Sequence, residues 1–128
     1  QVKINYLIDC KVTQNVIFCK TDVSSEEDVN SAIDAAVEKF GSINVAVSAA
    51  GILTAGKTVG KKGPYPLENF DKTIKINLVG TFNVIRLAAA KMAENSADEH
   101  GQRGVIINTA SVAAFAASVA SAAASAAV

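Results

Sequence analysis

Residues 104–111, Gly-Val-Ile-Ile-Asn-Thr-Ala-Ser, decide the fold. Val105-Ile106-Ile107 lacks the polar alternation of a strand with one wet face, so it reads as a strand buried on both faces, as in parallel sheets. Upstream, Ile43-Asn44-Val45-Ala46-Val47 is a second such strand. Between the two lies a helical stretch, Leu67–Met92, with Phe70, Ile74, Leu78, Phe82, Ile85, Ala89 and Met92 at spacings of three and four. Gly80 interrupts that stretch and predicts a kink near Asn77. Further back, Ser24 and Glu27 form a capping box opening a helix that Gly41 closes, with Val29, Ile33, Ala36, Val37 and Phe40 on one face. Val16-Ile17-Phe18-Cys19 reads as another short strand. Strand, helix, strand, helix, strand is the grammar of an α/β fold. The strands at 16–19, 43–47 and 104–109 are expected to run parallel in one sheet, with both helices packed on it.

The two ends depart from this regularity. Val2, Ile4, Tyr6 and Ile8 alternate as in a strand, yet only about five residues join Asp9 to the next strand, and a parallel crossover needs a dozen or more. Either the first two strands pair antiparallel or an element between them is missing. At the other end, Ala110–Val128 contains eleven Ala, four Ser, three Val and Phe115, none of which can do acid–base chemistry. The chain therefore divides into an atypical start at 1–14, a varied middle, and an Ala/Ser-rich tail at 110–128. Its first residue is Gln1 rather than Met, which reads as a fragment or a processed chain.

Composition narrows the classes of function. A chain of 128 residues, half of them hydrophobic, suits one domain with a core. Twelve Lys and Arg balance twelve Asp and Glu, so no net charge draws it to nucleic acid or an anionic membrane. No apolar run approaches the roughly 20 residues that span a bilayer. Cys10, Cys19 and a lone His100 make neither a disulfide framework nor a zinc site, and no metal is expected.

Gly51-Ile52-Leu53-Thr54-Ala55-Gly56-Lys57-Thr58 matches the phosphate-binding pattern GxxxxGK[ST]. That geometry needs a helix beginning at the lysine, whose N-terminal amides hold the anion. Gly60, Gly63, Pro64 and Pro66 follow instead, and the stretch 54–66 reads as a loop. Triphosphate binding through Gly51–Thr58 stands as an alternative, as does a fragment with no catalysis of its own.

A series of motifs in order carries the stronger signal. Asp22-Val23 follows one strand, Ser48-Ala49-Ala50-Gly51 the next, Asn77-Leu78-Val79-Gly80 lies in a helix, and Asn108-Thr109-Ala110-Ser111 ends a third strand. All but the helical one sit at strand C-terminal ends, where open α/β sheets bind ligands. This resembles the short-chain dehydrogenase/reductase family, and the strings 80–87 and 101–115 resemble a branch acting on 3-hydroxyacyl-CoA and hydroxysteroids. The resemblance implies a doubly wound, Rossmann-like parallel sheet, present here as one incomplete dinucleotide-binding domain over 1–128. It also implies an NAD-dependent oxidoreductase of lipid metabolism, with an acyl-CoA or steroid substrate, homotetrameric and mitochondrial.

By that resemblance Asp22 and Val23 contact the adenine, and Ser48, Ala49, Ala50 and Gly51 support the adenosine side. Asp9 corresponds to the ribose-binding acid, although it lies about ten residues too close to Asp22. Asn77 matches the tetrad asparagine whose helix kink exposes a carbonyl for a relay water, and Ser111 the serine that orients the substrate. Three departures stand out. Ser48 replaces a longer asparagine. The glycine-rich turn TGxxxGxG is absent, and Gly56, Gly60 and Gly63 do not replace it. The Tyr-x-x-x-Lys pair falls at Ala124 and Val128, so the chain keeps its orienting groups, lacks its base, and is expected to be inactive alone.

Overall fold

A computed structural model describes residues 15–54 and 56–111. Helix α1, Glu26–Phe40, begins one residue later than the capping box predicts. Asp22 Oδ1 takes both the Ser24 amide and its hydroxyl, at 2.9 and 2.8 Å. Ser24 is thereby withdrawn from capping, and Ser25 Oγ accepts the Asp28 amide at 3.2 Å instead. Glu26, Glu27 and Asp28 then line the positive end of the helix dipole. Gly41 ends the helix as expected, at a φ of 87° that a side chain would resist, its amide donating to the Val37 carbonyl at 2.7 Å.

Strand β1, Val45–Ser48, pairs in parallel with β4, Val105–Asn108, in the register Val45 to Val105 through Ser48 to Asn108. Asn95 sets their alignment, donating to the Ile43 carbonyl at 2.7 Å and the Arg103 carbonyl at 2.9 Å, so one side chain ties the segments entering both strands. Between them come the short strands β2 (Val59–Gly60) and β3 (Gly63–Pro64), then helix α2 (Leu67–Ile74), a π-helical turn (Lys75–Gly80) and helix α3 (Thr81–Met92). Helix α3 packs on β1 and β4, and α1 lies against α3. No described helix is long and apolar enough to cross a membrane.

Four expectations need correction. Residues 16–19 belong to no strand ladder among the described residues, because an apolar run becomes a strand only beside another strand's edge, and β1 pairs with β4 alone. Strand β4 is not covered on both faces. Val105 and Ile107 are 47% and 50% exposed, as are Val45 and Val47 beside them at 56% and 60%, while α3 covers the other face. Of the long helix's apolar stripe only Met92 is buried: Phe70, Leu78 and Phe82 are exposed, whereas Thr73, Asn77, Gly80, Asn83 and Ala88, off the stripe, are buried. The predicted kink is a π-turn, and the side of the helix that is buried through it carries Thr73, Asn77 and Gly80 rather than the apolar stripe. Lastly, the stretch 54–66, read as a loop, carries the short antiparallel β2–β3 hairpin; no helix begins at Lys57, as expected, so the Gly51–Thr58 motif lacks the phosphate-binding geometry. The expected strand at 2–8, Asp9, Cys10 and the tail beyond Ser111 lie outside the described residues.

Candidate functional site

The turn before α1 presents Asp22 and Val23. Asp22 is exposed, and the bonds from Ser24 hold its carboxyl below the usual carboxylate range, with the Ser24 hydroxyl contributing most and the Ser24 amide next. The Asp22 amide donates to Asp28 Oδ2 at 2.9 Å, and the Asp22 carbonyl accepts from the Ser25 amide at 2.9 Å. Among the described residues, Asp22 Oδ2, an acceptor, and the Val23 amide, a donor, have no hydrogen bond.

After β1 the chain runs outward through Ser48, Ala49, Ala50 and Gly51. Ser48 is 8% exposed and its hydroxyl has no hydrogen bond, the consequence of a short side chain where a longer amide is expected. Asn77, 6% exposed in the π-turn, clamps the next residue of this segment. Its Oδ1 accepts the Ile52 amide and its Nδ2 donates to the Ile52 carbonyl, both at 2.9 Å, so one amide side chain pairs with a backbone unit as a neighbouring strand would. A Cβ on Gly51 would come into ordinary van der Waals contact with Asn77 Oδ1, at 3.4 Å. The Asn77 carbonyl accepts the Thr81 hydroxyl at 2.7 Å, and a carbonyl oxygen has a second lone pair for another donor.

A second tether lies just beyond. Thr54 and the fully buried Thr73 have their hydroxyls 2.6 Å apart, Thr73 donates to the Asn69 carbonyl at 2.8 Å, and the Tyr65 hydroxyl donates to the Thr54 carbonyl at 2.8 Å. Tyr65 is therefore a loop fastener, and its phenol does not join Asn77 and Ser111.

Two clefts open where β1 and β4 end. One, of about 70 Å³, is lined by Val23, Ser48, Ala49, Ala50, Thr81 and Val84. The other, of about 280 Å³, is lined by Asn77, Thr81, Phe82, Ile85, Asn108 and Ala110. Thr81 faces both, and the exposed Ser111 follows Ala110 at the rim of the second. The structure thus brings Val23 together with Ser48, Ala49 and Ala50, and places Asn77 with the end of β4. Asp9 lies outside the described residues. Sequence reading missed Thr81, although its place four residues after Asn77 on a helix puts the two on one face.

A family model described as short chain dehydrogenase matches residues 5–127. The chain is 53% identical to the 3-hydroxyacyl-CoA dehydrogenase type-2 of Bos taurus and 54% identical to that of Homo sapiens, over 107 residues that cover 82% of this chain and 41% of each relative. It is 37% identical to the ipsdienol dehydrogenase of Ips pini over 75% of this chain and 39% of that protein. The crystal structure of 3-hydroxyacyl-CoA dehydrogenase type-2 from Mycobacterium avium matches with a TM-score of 0.77 at 39% identity, over 85% of this chain and 43% of that one. The chain spans about two fifths of the length of the curated relatives it matches.

Proposed function

Because this chain belongs to the short-chain dehydrogenase family, we propose that it is part of an NAD-dependent oxidoreductase interconverting a secondary alcohol and a ketone. The substrate class is a 3-hydroxyacyl-CoA, with a hydroxysteroid as the alternative. One observation carries the reading. The Asp22–Val23 turn leaves an acceptor and a donor unbonded on consecutive residues, and Val23 lines a cleft with Ser48, Ala49 and Ala50. Adenine offers the complement, an amino group that donates beside a ring nitrogen that accepts. The adenosine end of NAD therefore fits the residues present, and the nicotinamide of a bound cofactor would take up the hydride.

The chain's own groups divide the remaining work. Ser111 orients the substrate oxygen at the rim of the larger cleft. Asn77 holds Ile52, and its carbonyl offers the remaining lone pair to a relay water. Ala124 and Val128, outside the described residues, occupy the positions of the family's tyrosine and lysine, so nothing there takes the proton. The pyrophosphate lacks the donors that a glycine-rich turn supplies. The proposal includes a homotetrameric, mitochondrial enzyme, on the strength of the resemblance.

The test is NADH formation from a 3-hydroxyacyl-CoA. We expect none from the chain as it stands and none from Ala124→Tyr with Val128→Lys, because cofactor binding remains impaired. Turnover is expected when a glycine-rich first strand and turn are added as well. Failure of that last form overturns the dehydrogenase reading, and turnover by the unaltered chain overturns the assignment of the missing base.

A further inference from the structure

We propose that Asn83, locked by Arg86 and Glu26, is a positioning residue that presents the Asp22–Val23 turn to the adenine of the cofactor. The inference rests on the NAD reading above and adds residues which that reading does not use. Gly80, Asn83 and Arg86 recur every third residue, so they form one face at the start of α3. That face grips the turn at both ends. A Cβ on Gly80 would stand 2.5 Å from Val23 Cγ2, so the helix backbone rests directly on the Val23 side chain. Asn83, 5% exposed, donates from Nδ2 to the Val23 carbonyl at 2.9 Å, across 60 residues of sequence. Arg86 donates to Asn83 Oδ1 from Nε at 3.1 Å and from Nη2 at 2.7 Å, and Nη2 also meets Glu26 Oε2 at 2.6 Å, on the first residue of α1.

The chemistry of these groups removes ambiguity. A guanidinium can only donate, so the Asn83 oxygen must face Arg86 and its NH2 must face Val23. The Val23 carbonyl in turn fixes the peptide plane that follows it. The Ser24 amide is bound by the Asp22 carboxylate and the Ser25 amide by the Asp22 carbonyl, so the peptides on both sides of Val23 are anchored. The Val23 amide and Asp22 Oδ2 are then held in one relative geometry before any ligand arrives. A prearranged donor and acceptor bind more tightly than a pair that must first be ordered.

The experiment titrates adenosine monophosphate, nicotinamide mononucleotide and NAD into the whole chain, following the amide resonances of residues 22–25 by NMR. Three variants are compared with the parent. Asn83→Asp keeps the pairing with Arg86 and turns the donor facing the Val23 carbonyl into an oxygen that repels it, so with its fold checked it separates positioning from folding. Asn83→Ala loses both, and Arg86→Ala frees the Asn83 amide to rotate. Adenosine monophosphate and NAD are expected to bind about tenfold more weakly to both Asn83 variants and about threefold more weakly to Arg86→Ala. Nicotinamide mononucleotide affinity should be unchanged in all three. If Asn83→Asp, folded by circular dichroism, binds adenosine monophosphate as the parent does, the proposal is overturned while the NAD reading survives. If the parent shows no shift at 22–25 with any nucleotide, both readings fall together.

Discussion

Replacing Asn77 by aspartate should create a pH-dependent defect whose sign follows from the Ile52 clamp. In the parent one amide serves both backbone groups of Ile52 at 2.9 Å. Each such bond contributes about 1 kcal/mol net, and an abandoned buried partner costs about 1–3 kcal/mol. Ile52 is half-buried, which lets water relieve part of that cost. Asn77→Ala should therefore lose about 2–4 kcal/mol, a large share of a typical domain's 5–15 kcal/mol. A protonated aspartate reproduces the parent's pattern, one oxygen accepting and the hydroxyl donating. An ionised one sets a buried charge against the Ile52 carbonyl. The folded pKa of Asp at 77 is accordingly raised above its unfolded value of about 3.9. Stability should match the parent's most closely below that unfolded value. It should then be lost as pH rises toward the folded pKa, with a slope of about 1.4 kcal/mol per pH unit between the two. Urea unfolding of the variant and the parent across pH 3–8, taken as a difference, cancels the parent's own titrations. A difference independent of pH, or one that grows in acid, would refute the two-sided clamp.

Three further outcomes follow from single residues. Ser48→Ala removes a buried hydroxyl without a partner and should leave stability unchanged or raise it by up to about 1 kcal/mol, read as a melting temperature higher by several degrees; a clear fall would mean the hydroxyl is bonded. Gly56→Ala would push a methyl to within 2.4 Å of the Tyr65 ring and break its hold on the Thr54 carbonyl, at a cost of about 1–3 kcal/mol in thermal unfolding. Lys57 should give no magnesium-dependent ATP binding by calorimetry, and micromolar affinity lost in Lys57→Ala would revive the triphosphate site.

The elements most legible in the sequence are those with local causes. Gly41 ends α1 because only a residue without a side chain tolerates its backbone angle easily, and the β1–β4 pair was visible as two apolar runs separated by a helix. The helix start slipped by one residue because Asp22 competed for Ser24, a contact that spacing alone does not rank. The site was legible as an ordered set of motifs, yet the residues holding those motifs were not. Asn83 reaches Val23 across 60 residues, and Asn77 reaches Ile52 across 25. Mid-helix asparagines carry no local mark of their partners.

The misplaced stripe and the open sheet share one explanation. The apolar residues of β1 and β4 point to both faces, as in a sheet covered by helices on both sides, and the described helix on the sheet covers only one. Phe70, Leu78 and Phe82 of the long helix are likewise exposed, the last two along the cleft beside Asn77 and Asn108. The inward side carries, within the π-turn, Asn77 and Gly80, the polar clamp and the close contact with Val23. Hydrophobic periodicity reports where a helix could pack in a domain, whereas the residues at 77, 80 and 83 report what this one holds. Under the proposed reading, with a cofactor at the strand ends, the second set carries the function. The exposed apolar surface agrees with a chain spanning about two fifths of its relatives' length, with its ligand-facing edge assembled and much of its outer packing uncovered.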